Sequence, residues 1–449
     1  MSQEKLFGSS GIRGDAKEFF TNQTSFDLGR VFSIFLSKHN INGSIAVGMD
    51  PRESSPRIKS AFIKGLFYEK REVFDEGVTP IPSMNWILKS NNSIVGSVMI
   101  SGSHVKPHLN GLKFFAFGEE ILKENEEEIQ EIFNQEKEKV KFDSVKDSEL
   151  EVPIEESQAK TSYIEYILSK AKLPFTKMKV VIDAGNGAQS EVAPEILKRL
   201  GFEVIELNTN IQNEFMSRDT EVSGDFEELQ KVVVNKEADL GIGYDSDGDR
   251  VVFIDENGSF ISGDYSGSLI AMGIDTKNIV TPVNTSSVAE KTGKEVIRTR
   301  VGSPFVVGKM KEIGAKFGFE ANGGGIFSEM LSRDGGRSTV EFLNLLNSKN
   351  MKASEIVATL PKYYINRDKV EYEWELKDKI LEEAKKEFRG IKTDETDGLK
   401  IWIDDNTWIL FRSSANAPEF RVFVESLNEQ KSKNLLKKGL ELVNGLVNK

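Results

Sequence analysis

The chain has 449 residues, with 71 acidic against 59 basic side chains and a formal net charge of −12. At about 150 residues per domain it holds three or four domains, and 38% hydrophobic with 29% charged residues describes a folded globular protein with several modest cores. The acidic balance excludes a general nucleic-acid or membrane-surface binder, and the absence of cysteine excludes disulfides, thiolate zinc sites, iron–sulfur clusters and cysteine nucleophiles.

In chain order, the opening Met-Ser-Gln-Glu-Lys has no basic-then-apolar run, and no stretch reaches the roughly 18 apolar residues of a membrane span. A cytoplasmic setting is the expectation. Short β-branched runs predict strands at Ser44–Asp50, Ile94–Ser101, Met178–Asp183, Leu240–Tyr244, Val251–Asp255 and Asn278–Val283. Helical periods fall between them, at Pro56–Phe67, Val192–Gly201 and Asp225–Lys236. Glu119–Lys141, dense in charge, predicts one exposed amphipathic helix. Strands alternating with helices imply an α/β protein with parallel or mixed sheets. A β-run opening into a polar loop recurs at Ala46–Asp50, Val180–Gly187 and Ile279–Asn284, which suits three related α/β units. The last unit carries strands at Lys400–Ile403, Thr407–Phe411 and Phe420–Glu425 and a closing helix from about Asn428. The expected domains are 1–155, 156–257, 258–365 and 366–449.

Four segments can carry chemistry. With only His39, His104 and His108 to offer nitrogen, a bound metal would take oxygen ligands, which points to Mg²⁺ or Ca²⁺. Asp245, Asp247 and Asp249 alternate in Tyr244-Asp245-Ser246-Asp247-Gly248-Asp249-Arg250, and an extended loop aims alternate side chains at one cation. A calcium helix–loop–helix competes, with Glu256 at its twelfth position, but Arg250 stands where that loop needs glycine. A surface acidic turn is the plain alternative. Ser103, in Ser101-Gly102-Ser103-His104 after a strand, stands where α/β ligands gather, as a nucleophile or as part of a small-residue turn. Glu320 and Asn322 lead into three glycines and can bind hydroxyls. Arg412 and Arg421 flank a hydroxyl-rich loop that suits a phosphate or an ordinary strand end.

Taken in order, and with the opening Leu6-Phe7-Gly8-Ser9-Ser10-Gly11-Ile12-Arg13-Gly14, these segments resemble the α-D-phosphohexomutase family. Its members include phosphoglucomutases, phosphomannomutases and phosphoglucosamine mutases. The resemblance implies four domains around a central cleft: three similar α/β units and a C-terminal α+β unit like the TATA-binding protein. It implies that Ser103 carries a phosphoryl group, that Asp245, Asp247 and Asp249 with the serine phosphate hold Mg²⁺, and that Arg250 sits beside the phosphoserine. Arg13 and Lys113 match basic residues at the reacting phosphate, Lys113 as the proton shuttle, and His104 joins them in the catalytic set. Glu320 and Asn322 match the sugar loop, and Arg412, Ser414, Asn416 and Arg421 match the loop for the non-reacting phosphate.

The implied reaction interconverts hexose 6-phosphate and hexose 1-phosphate through a bisphosphorylated sugar, with hexose 1,6-bisphosphate as activator. Glucosamine phosphate leads as the substrate, with glucose and mannose phosphates fitting the same motifs. A non-catalytic paralogue that binds phosphosugar and metal, and a phosphoserine-using phosphatase, are the alternatives. The partner is a small phosphosugar, with neither nucleic acid nor membrane, and the chain acts as a monomer or homodimer. Three departures stand out: Val105-Lys106 where the family has Asn-Pro, Gly324 where it has histidine, and Ala415-Asn416-Ala417 within the phosphate loop.

Overall fold

The computed structural model describes residues 6–8, 11–103, 105–149, 151–155, 158–414 and 418–448. His104 and Asn416 of the expected site lie outside the described residues, as do Ser9, Ser10, Ala415 and Ala417 of the motifs. The chain forms two compact units, one of Met1–Gly263 with Asn322–Ser354, the other of Asp264–Ala321 with Glu355–Lys449.

The first unit holds two sheets. Ser44–Met49, apolar and almost wholly buried, is flanked by Ile94–Ile100 and Val73–Val78 in parallel pairing, as a strand covered by helices on both faces requires. Leu109–Ala116 joins antiparallel to Ile94–Ile100, and Ile12–Asp15 to Leu109–Ala116. The short strand Ile154–Glu155 pairs with Val73–Val78 at the far edge. Helices Asn22–Lys38 and Ser55–Tyr68 cover this sheet, and their Phe32, Phe35, Ile58 and Phe62 sit in one core with Ile45, Val47 and Val98. In the second sheet Lys179–Asp183 lies between Leu240–Tyr244 and Glu203–Leu207, both parallel to it. Val251–Asp255 folds back antiparallel on Leu240–Tyr244, with Phe260–Ile261 beyond it. The segment Asn322–Ser354 adds an antiparallel pair, Gly325–Phe327 with Arg333–Asp334, and the helix Gly335–Lys349, whose first turn is capped by Asp334 accepting from Arg337 N at 2.8 Å.

In the second unit Asn278–Pro282 lies between Glu295–Thr299 and Phe317–Phe319, again both parallel. The recurring loop theme of the sequence thus marks three strands that each sit between two parallel neighbours, the position that demands a continuous apolar run. An all-antiparallel sheet follows, in the order Tyr364–Glu371, Glu419–Ser426, Thr407–Ser413, Leu399–Asp404, Lys392–Asp394. Helices Lys377–Glu387 and Glu429–Val447 bury Ile380, Ala384 and Val443 against its Ile401, Phe411 and Val422. The closing helix starts where expected, with Asn428 as cap. The architecture is α/β with a C-terminal sheet-and-helix domain.

One predicted element differs. Glu119–Glu120 is a strand edge on Leu109–Ala116, and the helix runs only from Lys123 to Glu136. Backbone pairing takes the first residues, and Lys137 turns out of helical geometry at the other end. Among the described residues no helix is long and apolar enough to cross a membrane.

Candidate functional site

The acidic segment is the connection 245–250 of an antiparallel hairpin, with Tyr244 paired to Val251. No helix follows, so a calcium helix–loop–helix is excluded. Within this turn Asp245 Oδ1 accepts from Gly248 N at 3.1 Å and from Arg250 N at 3.2 Å, which curls the loop and brings its carboxylates together. Carboxylate oxygens of Asp245, Asp247 and Asp249 all lie within 4.8 Å of one another, and all three residues are buried. This is therefore no surface turn. Oδ1 of Asp247 and Oδ1 of Asp249 are buried without a hydrogen-bond partner. Buried, unsatisfied anionic oxygens at this spacing fit a hard divalent cation. Burial, then Asp247 and Asp249, push the Asp245 carboxyl well above its usual range. Burial acts the same way on Asp249, but Arg333, Lys113 and Arg250 outweigh it and hold that carboxyl below its usual range.

Ser103 faces this cluster. It follows Ile94–Ile100, is 1% exposed, and its Oγ donates to Asp245 Oδ2 at 3.1 Å. Its φ of +53° is left-handed, a conformation that costs a residue with a Cβ about 1–2 kcal/mol and persists only where neighbours impose it. The neighbours are identifiable. Ser103 N donates to Ser101 Oγ at 2.8 Å, and Ser101 Oγ donates to Asp50 Oδ2 at 2.7 Å. The buried Arg52 donates from Nε to the same Asp50 oxygen at 3.0 Å and from Nη2 to the Ser103 carbonyl.

The expected basic residues gather at the same place. Lys113 Nζ lies 3.6 Å from Asp247 Oδ2 and 3.5 Å from Asp249 Oδ2. Arg250 Nε is 3.7 Å from Asp249 Oδ1 and 4.0 Å from Asp245 Oδ2. Burial, then the neighbouring Arg250, lower Arg13 from the usual guanidinium value. Sequence reading missed Arg333, which donates to Asp249 Oδ2 from Nε at 3.0 Å and Nη2 at 2.8 Å. It also missed Asp50 and Arg52, although Asp50 ends the first repeat of the strand–loop theme, at the carboxyl end where such folds place ligands. Arg333 carried no comparable signal.

The glycines after Asn322 have a structural duty to the same loop. Gly323 and Gly324 have φ of +82° and +80°, and a Cβ on Gly324 would stand 2.3 Å from the Asp249 carbonyl oxygen. With this backbone a side chain at 324 would collide with the Asp249 carbonyl, so glycine is what lets the two loops pack this closely. Asn322 belongs to the first unit, and its carbonyl accepts from Thr220 Oγ1. Glu320 lies in the second unit, buried just after Phe317–Phe319.

In the second unit Arg412 and Arg421 stand directly opposite on paired strands, and Lys369 is opposite Arg421 on the other side. Residues so paired share a sheet face, where like charges repel. Two carboxylates offset three cations: Asp397 accepts from Arg412 Nε at 2.7 Å, and Glu419 accepts from Lys369 and, at 3.1 Å, from Arg421 Nη2. Ser414 is buried beside them, its N donating to the Glu419 carbonyl at 2.8 Å.

Comparison with known proteins gives the family. Three models of phosphoglucomutase/phosphomannomutase α/β/α domains match: domain I over residues 4–140, domain II over 161–258 and domain III over 262–364. A phosphoglucomutase/phosphomannomutase of Thermococcus kodakarensis is 34% identical over 98% of both chains. A phosphoglucosamine/phosphogalactosamine mutase of Sulfurisphaera tokodaii is 32% identical over 98% of this chain and 99% of its own. The crystal structure of a phosphoglucomutase/phosphomannomutase family protein from Burkholderia thailandensis shares the fold, with a TM-score of 0.83 and 22% identity over 99% of this chain and 98% of that one. With its hairpin of three aspartates, the serine that faces them and matches along nearly its whole length, the chain belongs to the α-D-phosphohexomutase family.

Proposed function

We propose that this phosphohexomutase interconverts the 6-phosphate and 1-phosphate of one hexose, with glucosamine phosphate as the leading substrate and glucose and mannose phosphates as the others to test. The observation that carries the reading is the 3.1 Å contact from Ser103 Oγ to Asp245 Oδ2 inside the buried carboxylate cluster. Ser103 carries the phosphoryl group. A sugar hydroxyl oxygen bonds to phosphorus as the bond from phosphorus to Ser103 Oγ breaks, and the hydroxyl proton passes to a base at the site, a role assigned to Lys113, whose Nζ stands between Asp247 and Asp249. The sugar bisphosphate then turns over and returns its other phosphate to Ser103. Such transfers are dominated by positioning and charge stabilisation. Arg13, Arg250 and Arg333 supply the positive charge for the transferring oxygens.

Asp245, Asp247 and Asp249 would hold Mg²⁺, which when bound supplies Lewis-acid stabilisation of phosphoryl oxygens. Glu320 and Asn322 take sugar hydroxyls. Arg412, Ser414 and Arg421, with Asn416, take the phosphate that is not reacting. The convergence of Arg412, Arg421 and Lys369 on directly paired positions of those strands supports this role. Catalytic amounts of hexose 1,6-bisphosphate keep Ser103 charged. The domain limits 1–155, 156–257, 258–365 and 366–449 place one of these loops in each domain.

The test is a panel of glucosamine, glucose and mannose 6-phosphates with Mg²⁺ and a trace of hexose 1,6-bisphosphate. The 1-phosphate isomer should form, and intact mass should show one phosphate lost on Ser103→Ala. Free phosphate without isomer, or no turnover of any of the three, would refute the reading.

A further inference from the structure

We propose that Arg52 is a positioning residue for the phosphoryl-carrying loop, acting by the shape of its guanidinium rather than by its charge. This rests on the reading of Ser103 as the carrier. A guanidinium has five N–H groups in a rigid planar fork. In Arg52 each has an acceptor. Nε donates to Asp50 Oδ2 at 3.0 Å, Nη1 to the carbonyls of Lys106 at 3.1 Å and Leu109 at 3.2 Å, and Nη2 to the carbonyls of Ser103 and, at 2.9 Å, Val105. The Phe215 ring covers it, with its centroid 4.7 Å from the guanidinium carbon.

Four carbonyl dipoles of one loop therefore converge on a single buried side chain. Without a donor at that spot they would repel one another and lose their partners together. The loop's curl, and the left-handed backbone that turns Ser103 Oγ toward Asp245, depend on that convergence. Asp50 balances the guanidinium charge and also accepts from Ser101, which receives Ser103 N. The pair is thus close to neutral, and its effect on the reacting phosphate is geometric. Lysine would keep the charge opposite Asp50 but cannot span four carbonyls from one nitrogen. That separates shape from charge.

The experiment uses the full chain with Mg²⁺ and the substituted enzyme Arg52→Lys. Its kcat should fall about 100-fold, as a misplacement near 1 Å costs, with KM for glucosamine 6-phosphate within about threefold of wild type. The rate at which hexose 1,6-bisphosphate phosphorylates Ser103, followed by intact mass, should fall by the same factor, while Mn²⁺ affinity stays unchanged. A structural role alone would lower the melting temperature and leave kcat per folded molecule intact. If folded Arg52→Lys keeps kcat within twofold of wild type, the proposal is overturned. Should that variant fail to fold by circular dichroism, Ser217→Ala decides. Ser217 Oγ donates to the Val105 carbonyl at 2.9 Å from outside the fork. Its loss should speed amide exchange over residues 101–109 and lower kcat about threefold. Unchanged exchange and kcat would overturn the proposal. Wild-type enzyme that takes up no phosphate from the bisphosphate overturns the carrier reading itself. Phosphorylated wild type beside an equally fast Arg52→Lys overturns only the role of Arg52.

Discussion

The loop around Ser103 and the strand pair carrying Arg412 and Arg421 balance their charges differently. In the first, Arg52 pairs with Asp50, Lys113 lies between Asp247 and Asp249, and Arg333 and Arg250 both reach Asp249. These groups are buried, and the backbone of Ser103 is held in a conformation it would not choose. In the second, three cations share two carboxylates, and the side chains of Arg421 and Lys369 are 39% and 58% exposed. A centre where bonds break needs fixed distances, and dense pairing in a dry site supplies them. A grip that must accept either end of a sugar needs charge more than shape. The difference between the two regions is that between catalytic and anchoring work in the proposed reaction.

The comparison breaks most visibly at Ser103. Ser103→Ala should remove the covalent phosphate and lower kcat by more than about 10³-fold, because the covalent route loses its nucleophile. A coupled isomerisation assay with intact-mass analysis checks it, and wild-type turnover would end the carrier role. Next, Asp247→Asn should raise the Mg²⁺ concentration for half activity by about 10- to 100-fold with the circular dichroism spectrum unchanged. An unaltered metal requirement would remove Asp247 from the ligand set. Arg421→Ala should raise KM for phosphosugars about 10- to 100-fold, the worth of a charge-assisted hydrogen bond, and leave kcat within about threefold. If kcat falls as steeply as KM rises, the two regions do not differ in kind.

Much of this was legible in the sequence because it is local. Strands between two parallel neighbours must be apolar throughout, so Ser44–Met49, Lys179–Asp183 and Asn278–Pro282 announced themselves. Alternating aspartates between two strands announced a cation loop. What stayed hidden is long-range. Arg333 reaches Asp249 across 84 positions, and Arg52 reaches Ser103 across 51, and neither spacing leaves a periodic trace. Gly324 looked like the loss of a family histidine, yet its backbone angle and its contact with Asp249 depend on tertiary packing. The start of the Glu119–Lys141 helix stayed hidden because charge density does not reveal where strand pairing takes the first residues.

The smallest effect concerns stability alone, and it sharpens the contrast from the second unit. Lys400 is 2% exposed; its Nζ donates to the Val283 carbonyl at 2.8 Å and lies 3.8 Å from the Trp408 ring centroid. Burial, then Arg298, push it down to about 7, against the pull of Glu425 and Glu290. The indole face also favours the ammonium form. Between pH 7 and the usual lysine value the folded chain holds this amine neutral while the unfolded chain protonates it, so unfolding takes up a proton. Stability must then rise with pH across that window and level off below pH 7, where both states are charged. The contribution is on the order of a few kcal/mol. Denaturant unfolding of wild type at pH 7 and pH 10 should show the rise, and Lys400→Met should flatten it, because methionine fills the space between Trp402 and Trp408 without a titrating group. A methionine variant whose stability climbs as steeply as the wild type's would show that the proton is taken up elsewhere.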